Sequence, residues 1–76
     1  MVDDPARWQP GDVIRFTCDL IDDTFVPDGL LATITSVKVD HGWMIVGGIK
    51  ADGTPFGWFL RPETVAMYAC RVLSSN

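Results

Sequence analysis

A cluster of carboxylates between residues 19 and 28 is the part of this sequence best suited to binding chemistry. It contains Asp19, Asp22, Asp23 and Asp28, with Phe25 among them. Their spacing differs from that of a calcium-binding loop, which needs alternating oxygen ligands and a distal glutamate. We call residues 19–28 the acidic loop. Two interpretations stay open: the loop binds a cation or a basic peptide, or its charges keep a small apolar domain in solution.

A catalytic centre has few candidate residues. His41 is the only histidine, and it lies between Asp40 and Gly42 in a predicted turn. Catalysis would need a nucleophile or a second titratable group beside it, and Ser36 and Asp40 are the only local ones. A turn histidine next to an aspartate is usually solvated. We therefore expect no catalytic residue and a chain that is not an enzyme.

Two cysteines, Cys18 and Cys70, lie far apart and have no zinc-ligand spacing with each other or with the histidine. We expect neither a metal nor another cofactor. Both thiols fall on positions predicted to point inward. They can be reduced cysteines buried as small hydrophobes, or they can form a disulfide if their strands are neighbours.

Composition limits the classes of partner. The chain has 76 residues and a net charge of −4, and its six basic residues are spread singly. This distribution argues against nucleic-acid binding driven by phosphate contacts.

No apolar run approaches membrane-spanning length, and the acidic, polar first residues do not resemble a signal peptide, so we expect a cytoplasmic protein without membrane contact. Hydrophobic residues make up 47%, so we expect some apolar surface to be exposed or covered by a partner.

A hairpin over residues 43–61 is the strongest structural signal. Asp52-Gly53 between two β-rich runs predicts a two-residue type I′ turn. In that register Ile45 faces Leu60, and Val46 faces Phe59. One predicted face carries Trp43, Ile45, Ile49, Phe56, Trp58 and Leu60. The opposite face carries Met44, Val46 and Phe59, with Lys50 and Arg61 at its ends. Both faces are apolar, so two interpretations stay open for the second face, the outer one that carries Phe59. Strand bending buries part of it, or a partner or a second copy covers it.

The remaining pattern predicts an all-β domain. Residues 1–9 are predicted to be a flexible arm with Trp8 as its possible anchor, residues 10–73 a single domain, and residues 74–76 a tail. Alternating apolar positions predict a strand over 12–20, and a run rich in β-branched residues predicts a second strand over 30–40. Pro62-Glu63-Thr64 suits one helical turn with proline at an early position, and residues 65–73 suit a last strand. The prediction is five short strands with one short helical turn before the last.

These elements resemble the SH3-like small β-barrels. Gly57-Trp58-Phe59, followed by a proline-bearing turn and a final strand, resembles the end of SH3 domains, and the order of elements also matches. Pro62 stands three residues after Phe59, and no ALYDY-like stretch is present, so the resemblance indicates the fold and not the signalling family. It implies that the first and last strands are neighbours. It also implies that the acidic loop and nearby aromatic residues hold an arginine of a ligand.

Other small barrels suggest alternative functions. Type II dihydrofolate reductases resemble this chain in length and fold, but their pore carries Val-Gln-Ile-Tyr before a proline where this chain has Trp58-Phe59-Leu60-Arg61. The residues for reduction are missing here. KOW- and Tudor-like barrels resemble it in architecture and bind nucleic acids through aromatic or basic edges, whereas this chain is acidic and has no basic run. An acidic barrel can instead mimic nucleic acid and regulate a DNA- or RNA-binding protein.

The sequence thus predicts an SH3-like barrel that acts as a protein-interaction module for a basic segment. The predicted binding residues are Asp19, Asp22, Asp23, Phe25, Asp28, Trp43, Trp58 and Phe59. A homodimer through the 43–61 hairpin is also predicted, because both of its faces are apolar.

Overall fold

The computed structural model describes residues 5–73. The chain begins with a short 3-10 helix at Pro5–Arg7. Seven strands and one helix follow: β1 Val13–Phe16, β2 Leu20–Ile21, β3 Thr24–Phe25, β4 Leu31–Asp40, β5 Trp43–Lys50, β6 Pro55–Leu60, α1 Pro62–Tyr68 and β7 Ala69–Leu73. The predicted all-β class is confirmed.

Five of the strands form one antiparallel sheet in the order β6-β5-β4-β1-β7, and β2 and β3 form a separate two-stranded sheet. Strands β1 and β7, the first and last of this sheet in chain order, are therefore neighbours. Strands β6 and β7 are its two edges, and no pairing between them closes the sheet within residues 5–73. A bulge between Ile34 and Ser36 interrupts the pairing of β4 with β5, and bulges of this kind bend a strand.

The core fills the concave side of this sheet. Its central members on β1 are Ile14 and Phe16, both fully buried. Aromatic rings extend the core, since Phe16 lies edge-on to Trp8 at 6.3 Å and to Trp58 at 5.4 Å between ring centroids. The buried apolar residues are Trp8, Ile14, Phe16, Ile21, Val26, Ala32, Ile34, Met44, Val46, Leu60 and Val65.

The N-terminal arm is attached to this core from Pro5 onward. Trp8 is only 4% exposed, so it is the anchor that the sequence suggested. The carboxylate of Asp12, itself 1% exposed, accepts the N–H of Gln9 at 2.8 Å and lies 3.5 Å from an Arg71 guanidinium nitrogen. This contact ties the arm to β1 and β7. Residues 1–4 of the predicted arm and the predicted tail 74–76 lie outside the described residues.

The predicted register of the central hairpin is wrong by one residue. Ile45 faces Phe59 and Val46 faces Trp58. The cause is the loop, which has three residues instead of two. The N–H of Lys50 donates to the carbonyl of Thr54 at 2.9 Å, and Gly53 adopts a φ of 93°. A turn followed by a left-handed glycine is the usual three-residue hairpin loop.

Asp52 supports this loop through its side chain. Its carboxylate accepts the N–H of Thr54 at 2.8 Å. Hydrogen bonds from the Thr54 side chain and backbone hold the pKa of Asp52 below its ordinary value. The loop therefore has its own local determinant, which the Asp52-Gly53 dipeptide alone does not reveal.

The shifted register changes which residues of β5 share a face with which residues of β6. Met44 and Val46, predicted on the outer side with Phe59, are fully buried. Ile45 and Ile49, predicted to share a face with Trp58, lie on the opposite side, where Ile49 is 43% exposed. We call this exposed side of β4, β5 and β6 the outer face.

The first predicted strand is shorter than expected. The predicted strand over 12–20 ends at Phe16, and the chain then forms the β2–β3 hairpin. The turn residues of that hairpin, Asp22 and Asp23, have φ angles of 49° and 63°. Two successive positive φ angles are the mark of a type I′ turn. The turn type predicted for the central hairpin therefore occurs inside the acidic loop.

The helix is longer than the single turn predicted, and it takes the start of the predicted last strand. Pro62 occupies its first turn, where no N–H is needed. Val65 is fully buried, and Tyr68, one turn further on, packs against the core. The carbonyl of Tyr68 accepts the N–H of Thr17 at 2.7 Å. Tertiary packing of one helical face outweighs the local preference for a strand.

The cysteine prediction is wrong for Cys70. It is exposed and pairs across the sheet with Arg15, which is also exposed. Cys18 is half-buried, and its thiol donates to the carbonyl of Leu20 at 3.2 Å. Both cysteines are free.

The register makes a prediction about two glycines on adjacent strands. A Cβ atom at Gly48 would lie 2.6 Å from the carbonyl oxygen of Thr33 and 2.6 Å from the Phe56 ring. We expect Gly48→Ala to lower the free energy of unfolding by about 2 kcal/mol through this clash. Urea denaturation measures the change.

Gly57→Ala is the matched control, because no atom lies within 4 Å of the position its Cβ would take. We expect its free energy of unfolding to stay within about 0.5 kcal/mol of the parent value. Equal stability of the two variants would contradict the register, which places Gly48 opposite Phe56.

Candidate functional site

The outer face presents apolar side chains to solvent. Phe59 on β6 is 62% exposed. It lies directly across from Ile45 on β5, whose other neighbour is Lys38 on β4. Trp43 lies two residues before Ile45 on β5, so its side chain is on the same side of the sheet. It lies across from Asp40 on β4. The antiparallel pairing thus gathers three strands' side chains into one surface.

A cavity of about 370 Å³ opens on this face. Its walls are the apolar side chains of Trp43, Ile45 and Phe59, and its polar lining comes from Asp40 and His41. This volume is at the lower end of the range for ligand sites in proteins, about 300–1,000 Å³.

The turn between β4 and β5 places the polar lining. His41 and Gly42 have φ angles of 50° and 80°, as in a two-residue type I′ turn. The His41 ring donates from Nδ1 to the Asp40 carboxylate at 2.7 Å. The His41 side chain is 91% exposed, and this bond orients the Asp40 carboxylate at the edge of the cavity.

A cation lies over the ring of Trp43. The guanidinium carbon of Arg61 lies 4.3 Å from the centroid of the Trp43 ring, within the range of a cation–π contact. A guanidinium nitrogen of Arg61 is 4.0 Å from the Glu63 carboxylate. The indole that forms one cavity wall is therefore ordered without a ligand.

The tip of the acidic loop is fastened beside this surface. The N–H of Arg61 donates to the Asp22 carboxylate at 2.6 Å. The Thr24 hydroxyl donates to the carbonyl of Phe59 at 3.5 Å. These two bonds place the β2–β3 hairpin against the end of β6, next to the aromatic residues of the outer face.

The predicted binding residues are therefore only partly brought together. Asp22, Trp43 and Phe59 lie in one region, and Asp23 and Phe25 are exposed on the hairpin beside it, where Phe25 is 68% exposed. Asp19 and Asp28 are exposed at the base of the acidic loop, where the Asp19 carbonyl accepts the N–H of Val26.

Trp58 lies on the other side of the sheet from Phe59. It stacks on Phe56 with 4.0 Å between ring centroids and packs edge-on against Phe16. The two-residue periodicity of a strand requires that adjacent residues point to opposite sides. Trp58 therefore contributes to the core side and not to the surface that carries Trp43 and Phe59.

Sequence reasoning did not place Asp40, His41, Ile45 and Arg61 in the site. Ile45 was assigned to the buried face because the predicted register was one residue off. The sequence signal for the correct register is Ala51-Asp52-Gly53, a triplet that ends in the glycine a three-residue loop requires. Arg61 has no such signal, since its position over Trp43 depends on where β6 ends.

No group of three or more metal-ligating side chains is found in the described range, residues 5–73. No helix within it has the length and apolar character to cross a membrane.

Comparison with known proteins identifies no family. No protein-family model matches the chain, and no curated protein or solved structure matches it significantly. Functional inference therefore rests on the geometry of the outer face and the acidic loop.

The bond between Asp22 and Arg61 makes a prediction about the acidic loop. Asp22→Ala removes the acceptor of the Arg61 N–H, so the hairpin should detach locally from β6. We expect hydrogen exchange at the Arg61 amide to become roughly tenfold faster or more, as loss of a charged hydrogen bond implies. Residue-resolved amide exchange by NMR measures this rate.

Asp23→Ala is the matched control, because Asp23 also has a positive φ angle but no bond to Arg61 is found for it. It should strain the turn equally and leave the Arg61 amide protected. Asp22→Asn should also retain protection, since its amide oxygen can accept the same N–H. Equal exchange in all three variants would show that Asp22 does not hold the hairpin.

Proposed function

We propose that this chain is an SH3-like barrel that acts as a non-enzymatic protein-interaction module and binds a basic segment of a protein partner. The segment lies across the outer face, between the acidic loop and the β4–β5 turn. The observation that carries the proposal is the Asp22–Arg61 bond, which fixes a carboxylate-rich hairpin beside the exposed ring of Phe59.

The strand order supports the SH3-like part of the proposal. Strand β7 lies beside β1, the acidic loop separates β1 from β4, and a helix precedes β7. This is the arrangement that the resemblance implied. The long β4 with its bulge lets the sheet curve around the core, as the strands of a small barrel must.

Charge and apolarity together support a basic protein segment. The net charge is −4. Part of it comes from the acidic loop, which places exposed carboxylates such as that of Asp23 next to the outer face. Arg61 on this surface is engaged by Trp43, Glu63 and, through its backbone, Asp22. A peptide with cations and apolar side chains would pair with the carboxylates and cover Phe59.

A direct test uses synthetic peptides. The probe alternates arginine with leucine, and the control peptide alternates glutamate with leucine. We expect calorimetry to detect binding of the arginine peptide alone, with a dissociation constant that rises several-fold between roughly 50 and 200 mM salt because the charges are exposed.

Variants that remove carboxylates from the acidic loop then test whether the arginine peptide binds there. The triple variant Asp19→Asn, Asp23→Asn, Asp28→Asn leaves the structural bond of Asp22 in place, and it should weaken the arginine peptide several-fold. Asp52→Asn changes a charge at the far end of β6 and should leave the affinity unchanged. Equal affinity in the triple variant would assign the acidic loop to solubility.

The alternative of an acidic nucleic-acid mimic makes a different prediction for the same assay. A mimic recognises its partner through charge alone, so a peptide that alternates arginine with serine should bind as well as the leucine peptide. The exposed Phe59 favours the protein-segment proposal, because a mimic has no need of an apolar ring at its contact surface.

Self-association through the outer face is the second candidate. The exposed side chains of Ile49 and Phe59 support it, and Lys38 and Asp40 on the same side of β4 could pair across a two-fold axis. Under this second candidate, and not under the first, sedimentation at micromolar concentration shows a dimer that Phe59→Asp dissociates.

The fold should survive this substitution, because Phe59 is 62% exposed. Circular dichroism and thermal unfolding check that point. A monomer at micromolar concentration for the parent chain would contradict a stable dimer, and unfolding by Phe59→Asp would place Phe59 in the core.

A further inference from the structure

We propose that the cavity lined by Trp43, Ile45 and Phe59 is a subsite for one apolar side chain of the bound segment, and that Asp40 pairs with a cationic residue adjacent to it. This inference rests on the proposed function and specifies its ligand: an aliphatic or aromatic residue next to arginine or lysine. Binding by charge alone does not require such a pair.

The walls of the cavity select an apolar occupant. Three of its lining residues are apolar, and the ring of Phe59 is 62% exposed. An apolar side chain in the cavity removes its own surface and that of Phe59 from water. The volume of about 370 Å³ has room for one large apolar side chain together with the peptide backbone beside it.

The subsite is built before a ligand arrives. Arg61 lies 4.3 Å from the centroid of the Trp43 ring, and the backbone at Phe59 and Arg61 is bonded to Thr24 and Asp22. Walls that are already ordered lose little conformational entropy on binding. The acidic loop thus orders the apolar subsite as well as supplying charge.

Charge complementarity identifies the neighbour of the apolar residue. The Asp40 side chain is 53% exposed and is held by its bond to the His41 ring. Arg61 is engaged by Trp43 and Glu63, and Lys38 lies across from Ile45, so Asp40 is the carboxylate that lines the cavity itself. A cation on the segment, one step from the apolar side chain, would meet this carboxylate.

The test uses short arginine peptides that differ only in one central residue: glycine, alanine, leucine, methionine or phenylalanine. Calorimetry gives the affinity of each. We expect the leucine, methionine or phenylalanine peptide to bind roughly tenfold more tightly than the glycine peptide, as burial of one large apolar side chain implies. Binding should shift the NMR signals of Asp40, Trp43, Ile45 and Phe59.

Variants of the chain assign this preference to the cavity. Ile45→Ser should reduce the preference for a large central residue to less than about threefold. Ile49→Ser is the matched control, since it removes an isoleucine from the same strand and the same face outside the cavity. Phe59→Ser is the second cavity variant, and its exposed position keeps the experiment decisive if Ile45→Ser fails to fold.

A second comparison of peptide affinities tests the role of Asp40. Replacing the arginine beside the central residue with glutamine should weaken binding several-fold in the parent chain and have no effect in Asp40→Asn. That coupling would be absent if the arginine met another carboxylate.

The outcomes separate this inference from the proposed function. Equal affinity for the glycine and leucine peptides, with salt dependence retained, overturns the subsite and leaves the interaction module in place. Failure of every arginine peptide to bind overturns the proposed function itself. If the signals of the cavity residues shift with protein concentration and not with peptide, a second copy occupies the face and the subsite is refuted.

Discussion

The hydrogen bond between the N–H of Lys50 and the carbonyl of Thr54 determines how the rest of this structure is arranged. It closes a three-residue loop and thereby sets the pairing of β5 with β6. In a β-ribbon a shift of one residue moves every side chain to the other face. The loop therefore places Met44 and Val46 in the core and leaves Ile45 half-buried on the outer face, across from Phe59.

The outer face depends on a second set of contacts that connect separate parts of the chain. The tip of the acidic loop reaches the end of β6 through the Asp22–Arg61 bond, and Arg61 in turn covers one side of Trp43. The Asp22 carboxylate thus holds the backbone of Arg61, and the guanidinium of the same residue lies over the Trp43 indole. Because each contact orders the next, the acidic loop and the aromatic residues behave as one surface and not as two independent features.

Much of the fold follows from local pattern. The β-branched residues of β4 predicted its range almost to the residue, and the resemblance implied that β1 and β7 are neighbours. The helix was underestimated because Val65 and Tyr68 suit a strand locally, while their burial against the core favours a helix. In the site, the acidic residues and Phe59 were identified, whereas Ile45 and Arg61 were not, because their places depend on strand register.

The sequence by itself determined which residues alternate along each strand, how the charges are distributed and which segments turn. These properties depend on neighbours in the chain, so a single sequence contains them. Only the tertiary structure decided which side of the central hairpin is buried. Both of its faces are apolar, and local hydrophobicity therefore cannot choose between them. The cavity at Trp43 was decided at the same level, because its apolar walls come from β5 and β6 and its carboxylate from β4, and pairing sets the proximity of these strands.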